Sequence, residues 1–96
     1  MGSSTDTPVW TIDPQEDQKV TETIADARAD KVYKESKASV AENPITNRRS
    51  KHLKQGKYKG MYRWKKPPYR FIYGADKNTH TVYPAVFDTR GNIDYD

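Results

Sequence analysis

There is no cysteine in these 96 residues. A disulfide framework and a thiolate metal site are therefore excluded, which suits a reducing cytoplasm. Histidine is nearly as scarce. His52 and His80 stand far apart without carboxylates around them, so nothing converges on a metal, although His52 lies in a basic segment where acid–base work is conceivable. No apolar run approaches the length of a membrane span, and the N-terminus has no signal-peptide core. A glycine-rich phosphate loop, a nucleophile elbow and a paired-carboxylate signature are all missing. Ser50, Lys51 and His52 are neighbours along the chain, which does not make them a triad. The expectation is a chain that works without metal, cofactor or membrane.

Apolar residues are also few, at 33% of the chain with a mean hydropathy of −1.10. What remains is aromatic. Two Trp, seven Tyr and two Phe bury large areas each and support a thin core. Residues 1–7 read as a polar tail, and residues 8–96 as a single domain.

The net charge of +4 conceals a division. Residues 1–45 carry five basic and nine acidic side chains, a net of −4. Residues 46–87 carry eleven basic side chains and one acidic, Asp76, a net of +10. Residues 88–96 carry Arg90 against Asp88, Asp94 and Asp96, a net of −2. Acidic charge is missing where basic charge is densest, which marks a surface for a polyanion or an acidic partner.

Val9 to Ile12 reads as a short strand. Asp13, Pro14 and Glu16 form a helix start with cap, first-turn proline and capping-box acid. One helix running from there to the Asn43–Pro44 pair would be too long for a domain of this size. A break is therefore expected near Ala27–Asp30, with Asp30 as a second cap. Residues 43–50 read as a loop, and the next stretch as a turn anchored by Leu53. From Tyr58 the period becomes two, giving strands near 58–65, 69–75 and 80–87, with His80 beginning the last of them. The architecture is α+β, in the order β-α-α-β-β-β: an antiparallel sheet with a helical hairpin packed on one face.

The stretch Met61–Tyr73, "MYRWKKPPYRFIY", holds two Tyr-Arg pairs. A hairpin turn of even length centred on Lys66–Pro67 sets Arg63 opposite Arg70 and Trp64 opposite Tyr69. One side then shows Tyr62, Trp64, Tyr69, Phe71 and Tyr73, a natural core face. The other shows Met61, Arg63, Lys65, Arg70 and Ile72. Like charges across a strand pair repel, and with only Asp76 nearby an outside anion is the natural partner. Two guanidinium forks suit phosphate oxygens. Arg90, past the last strand, and Tyr95, able to stack on a base, would approach the same face.

From Leu53 onward the chain resembles the RelE/ParE toxin superfamily of toxin–antitoxin modules. The resemblance lies in Leu53 and Gly56, the Arg63 strand, Tyr69-Arg70-Phe71-Ile72-Tyr73, Arg90 and Tyr95; residues 9–45 match only in the order of elements. It departs at Met61, where a lysine is common, and in the short Arg90–Tyr95 spacing. The resemblance implies a cognate antitoxin that binds through an acidic segment. In the RelE-like branch it implies an endoribonuclease that cuts mRNA on the ribosome, inhibits translation and uses the substrate's own 2′-hydroxyl as nucleophile. Arg63, Arg70, Arg90 and Tyr95 would then be catalytic, and Lys54, Lys65 and Lys66 would bind RNA. Two alternatives stay open: the ParE-like branch, which inhibits DNA gyrase without catalysis, and a plain RNA-binding module.

Overall fold

The computed structural model describes residues 9–93, the side chain of Arg90 excepted. Strand β1 (Thr11–Ile12) leads into helices α1 (Pro14–Thr21) and α2 (Ala27–Glu42). Strands β2 (Ser50–His52), β3 (Tyr62–Lys66), β4 (Tyr69–Asp76) and β5 (Thr81–Thr89) follow, and then a 3-10 turn, Arg90–Asn92. The strands form one sheet in the order β1-β5-β4-β3-β2. It is an α+β fold with both helices against one face of the sheet.

The first helix starts as its sequence dictates. Pro14 fills the first turn, and the Asp13 carboxylate accepts from the Glu16 amide at 2.9 Å. The break comes earlier than expected. Helix α1 ends at Thr21, and Asp26, not Asp30, caps α2 by accepting from the Ala29 amide at 3.3 Å. Helix α2 buries Val32, Tyr33, Ser36, Val40 and Ala41, a stripe at helical spacing. It stops at Asn43, which is extended as the residue before Pro44 must be. Tyr33 joins the layers. Its ring meets Phe71 edge-on at 5.5 Å, and its hydroxyl donates to Asp17 of α1 at 2.6 Å. Lys37 pairs with the same carboxylate at 3.0 Å. Burial would raise the Asp17 pKa, but the hydrogen bonds from Tyr33 and Lys37, with the Lys37 charge, hold it below the ordinary value.

Two parts of the sheet differ from expectation. Strand β1 runs parallel to β5, with Thr11 beside Thr81, so the sheet is mixed. Residues 50–52, expected as loop and turn, are an edge strand that sets Lys51 opposite Arg63 and His52 opposite Tyr62. Beyond it the loop 53–60 is closed by two backbone hydrogen bonds, Leu53 N–H to the Met61 carbonyl and Gly60 N–H to the Leu53 carbonyl, both 2.8 Å. Gly56 and Gly60 turn it with φ of 86° and 89°, values that suit glycine. His80 does not begin a strand. It sits in the β4–β5 turn at φ 52° and stacks on Trp10 at 4.5 Å.

The β3–β4 turn is even but lies one residue further along than expected. Lys66 pairs with Tyr69, Lys65 with Arg70, Trp64 with Phe71, Arg63 with Ile72 and Tyr62 with Tyr73. Arg63 therefore does not face Arg70. A turn centred on Lys66–Pro67 would have put Pro68 into the ladder without an N–H to donate. Centring it on Pro67–Pro68 removes both prolines from the ladder. The partners shift by two residues, which preserves parity and hence the sorting of the two faces. Trp64, Phe71 and Tyr73 belong to the core with Tyr33, Val82 and Phe87, and Tyr62 and Tyr69 pack against it. Pro84 lies deep in the sheet but next to the bulge of β5, beyond the reach of the two-residue β1.

Candidate nucleic-acid interface

The face of the sheet away from the helices carries the cations. Lys51 and Arg63 are opposite one another on β2 and β3, and Lys65 and Arg70 on β3 and β4. Side chains directly opposite have their β-carbons only about 5 Å apart, so each pair places like charges side by side. Asp88 lies opposite Arg70 on β5 and adds a carboxylate that sequence reasoning did not place here. Its Oδ1 accepts from the Thr89 amide at 2.8 Å and from Asn92 at 3.2 Å, and it forms no ion pair with Arg70. Asp76, the acid of the basic block, accepts from the Asn78 amide in the β4–β5 turn and is spent there. Among the described residues no carboxylate pairs with Lys51, Arg63, Lys65 or Arg70.

Two clefts open on this face. One, about 310 Å³, is bounded by Arg48, Arg49, Ser50, Lys51, Arg63, Lys65 and Pro67. The other, about 350 Å³, is bounded by Lys65, Pro67, Pro68, Arg70, Thr89 and Gly91. Lys65 and Pro67 line both, so the clefts adjoin. Arg63 is half-buried, and its Nε is shielded from solvent with no hydrogen-bond acceptor. A buried donor without a partner costs free energy, about 1–3 kcal/mol for a neutral group and more for a charged one. Ile72 is fully buried on this same face, outside the main core, and Met61 reaches over Gly74. The cations thus stand at the turn end of a face whose centre is apolar.

The basic edge is fastened to the core. The buried Tyr73 hydroxyl donates to the Pro44 carbonyl at 2.6 Å, and the Ser50 hydroxyl, 2.7 Å away, is left to donate to Tyr73. Burial is the main cause that pushes the Tyr73 pKa up to about 12. The Arg49 carbonyl accepts from the Lys65 amide at 2.9 Å, Arg49 Nη1 donates to the Lys65 carbonyl at 3.3 Å, and its guanidinium lies 5.9 Å from the Trp64 ring centre.

The predicted site residues are distributed as follows. Arg63, Lys65 and Arg70 share the cationic face. Lys66 lies on the helix side, where it pairs with Glu35 at 2.9 Å and holds that carboxyl below its ordinary pKa. Lys54 is exposed in the loop past β2, beside Lys51 and His52. His52 stacks on Tyr62 at 4.9 Å. Arg90 opens the 3-10 turn whose Gly91 lines the Arg70 cleft. Tyr95 lies outside the described residues, as does the polar tail 1–7. Arg48, Arg49 and Lys51 were missed as site residues. The signal was available in "NRRSKH", but it reads as loop until β2 is seen to pair with β3. No helix among the described residues is long and apolar enough to cross a membrane.

No family model matches the chain, and no curated protein is similar to it in sequence. Its fold is similar to that of a chain in the crystal structure of the toxin–antitoxin complex RelBE2 from Mycobacterium tuberculosis. The two are 18% identical, with a TM-score of 0.66 over 85% of this chain and 99% of that one. The chain therefore has the RelE-like fold, a two-helix layer on a five-stranded mixed sheet.

Proposed function

We propose that this chain is the toxin of a toxin–antitoxin module and cleaves mRNA on the ribosome. The observation that carries the reading is the set of cations on the open face of a RelE-like sheet, with Arg63, Lys65 and Arg70 lacking any ion-pair partner among the described residues. Arginines and lysines in that state suit a phosphate whose charge grows during reaction. The substrate's 2′-oxygen attacks the adjacent phosphorus and loses its proton. The bond to the 5′-oxygen breaks, and that oxygen takes up a proton. A 2′,3′-cyclic phosphate and a 5′-hydroxyl end result. Arg70 and Lys65 hold the non-bridging oxygens, Arg63 stabilises the added charge, and Arg90 and Tyr95 complete the site from the chain beyond β5. Its antitoxin is an acidic chain that covers this face.

The test is a reporter mRNA in a cell-free translation extract. Wild type cleaves it, and Arg70→Ala slows cleavage by about 100-fold or more, the usual loss when a group stabilising transition-state charge is removed. Equal survival of the mRNA with wild type and with Arg70→Ala defeats the reading. Intact mRNA together with inhibited gyrase supercoiling would place the chain with gyrase inhibitors instead.

A further inference from the structure

We infer that the cleft at the β2 edge, between Arg48, Lys51 and Arg63, is a second phosphate site for the RNA strand, adjacent to the one at Arg70. The inference rests on the RNA-cleaving reading and extends it to Arg48 and Lys51, outside the reacting centre, with Arg63 standing between the two sites. The cleft is bounded by five cations and no carboxylate, and its volume is about 310 Å³. Lys51 and Arg63 oppose each other with nothing between them to cancel the repulsion. The unpartnered Nε of Arg63 adds a donor that the free protein leaves unsatisfied. A side-chain rotation on binding would give it a phosphate oxygen.

Geometry separates this site from the first. Lys51 and Arg70 are two strands and two residues apart in the ladder. At about 4.8 Å between strands and 3.3 Å per residue, that is a span of ~12 Å. The oxygens of a single phosphate do not bridge it. Lys65 and Pro67 line both clefts, so the two adjoin and an extended backbone spans the distance from one to the other. The strand would lie across the sheet, from β4 toward the β2 edge. Arg49 is braced against the Lys65 backbone and Trp64, so it fixes the wall, and the exposed Arg48 and Lys51 meet the ligand.

The experiment measures binding of a labelled single-stranded RNA, 2′-O-methylated so that it is not cut, over a series of salt concentrations. Arg48→Ala/Lys51→Ala is compared with Lys31→Ala/Lys77→Ala, which removes the same charge from exposed positions on α2 and the β4–β5 turn. The first variant should weaken binding about ten-fold or more and reduce the salt slope by about 1.4, the share of two contacts on a single strand. The control should change both far less. If the two variants weaken binding equally, net charge explains the effect and the second site is overturned while the RNA reading stands. If wild type binds no RNA, the second site is overturned, and the cleavage reading stands or falls by the translation-extract assay. If the first variant loses binding to polyglutamate but not to RNA, the cleft belongs to an acidic protein and the inference is overturned.

Discussion

Arg63 combines two properties that conflict for stability. It carries a charge opposite another charge, and its Nε is buried without an acceptor. Both raise the free energy of the unliganded protein. Arg63→Met keeps most of the side-chain volume and removes both costs. We predict that it leaves stability in urea unchanged or raises it by about 1 kcal/mol, near the net effect of relieving one unsatisfied group. The same variant should slow mRNA cleavage at least ten-fold. A stability loss beyond about 1 kcal/mol would give Arg63 a structural role, because harmless surface changes stay within ±0.5 kcal/mol. At this scale the sorting of the candidate residues between the two faces was legible. Alternation alone assigned Arg63, Lys65 and Arg70 to one face and the aromatics to the other. Their exact partners were not legible, because a shift of two residues leaves alternation untouched and only the missing N–H groups of Pro67 and Pro68 decide it.

The elements are tied together by a few polar contacts between apolar layers. Asp17 clamps α1 to α2 through Tyr33 and Lys37. Its folded pKa lies below the ordinary aspartate value of about 3.9, so its contribution is fully present above that pH and is lost as pH falls through the folded value. Asp17→Asn should destabilise the protein by about 1.5–3 kcal/mol at neutral pH, the range for hydrogen bonds to charged groups. Below about pH 4 the difference from wild type should shrink. Urea titrations at pH 7 and pH 3 check this, and a gap that widens in acid would refute it. Tyr73 fastens β2 and the loop before it. Tyr73→Phe strands the buried Pro44 carbonyl and should cost about 1–3 kcal/mol. Hydrogen exchange should then quicken at the β2 amides before those of β4. Of the elements, α1, α2 and the meander were legible from caps and periodicity. Strand β2 was not, since three polar residues form a strand only because β3 offers a free edge. Strand β1 was legible, but its parallel pairing was not, since its partner lies some seventy residues away.

Across the whole molecule, charge follows architecture. The acidic segment 1–45, net −4, contains β1 and the helix layer, and the basic block 46–87, net +10, supplies most of the remaining sheet. The division was visible in composition, but composition did not reveal that the +10 block pairs cation against cation on adjacent strands. Lys51 with Arg63 and Lys65 with Arg70 are repulsions inside a marginally stable small domain. The four ion pairs among the described residues lie within the helical layer or bind it to Lys66, and three of them are short-range or exposed, hence weak. Screening should therefore relieve more repulsion than it removes attraction. The Debye length falls from about 30 Å at 0.01 M to 8 Å at 0.15 M and 3 Å at 1 M, so the close pairs feel salt chiefly at the upper end. Raising sodium chloride over that range should raise Tm by about 2–4 °C, which corresponds to about 1 kcal/mol or less in a domain of this size. Lys51→Ala/Lys65→Ala should raise Tm at low salt and flatten its salt dependence. A Tm that falls as salt rises would mean that attraction dominates, and the cationic face would then be balanced without any ligand.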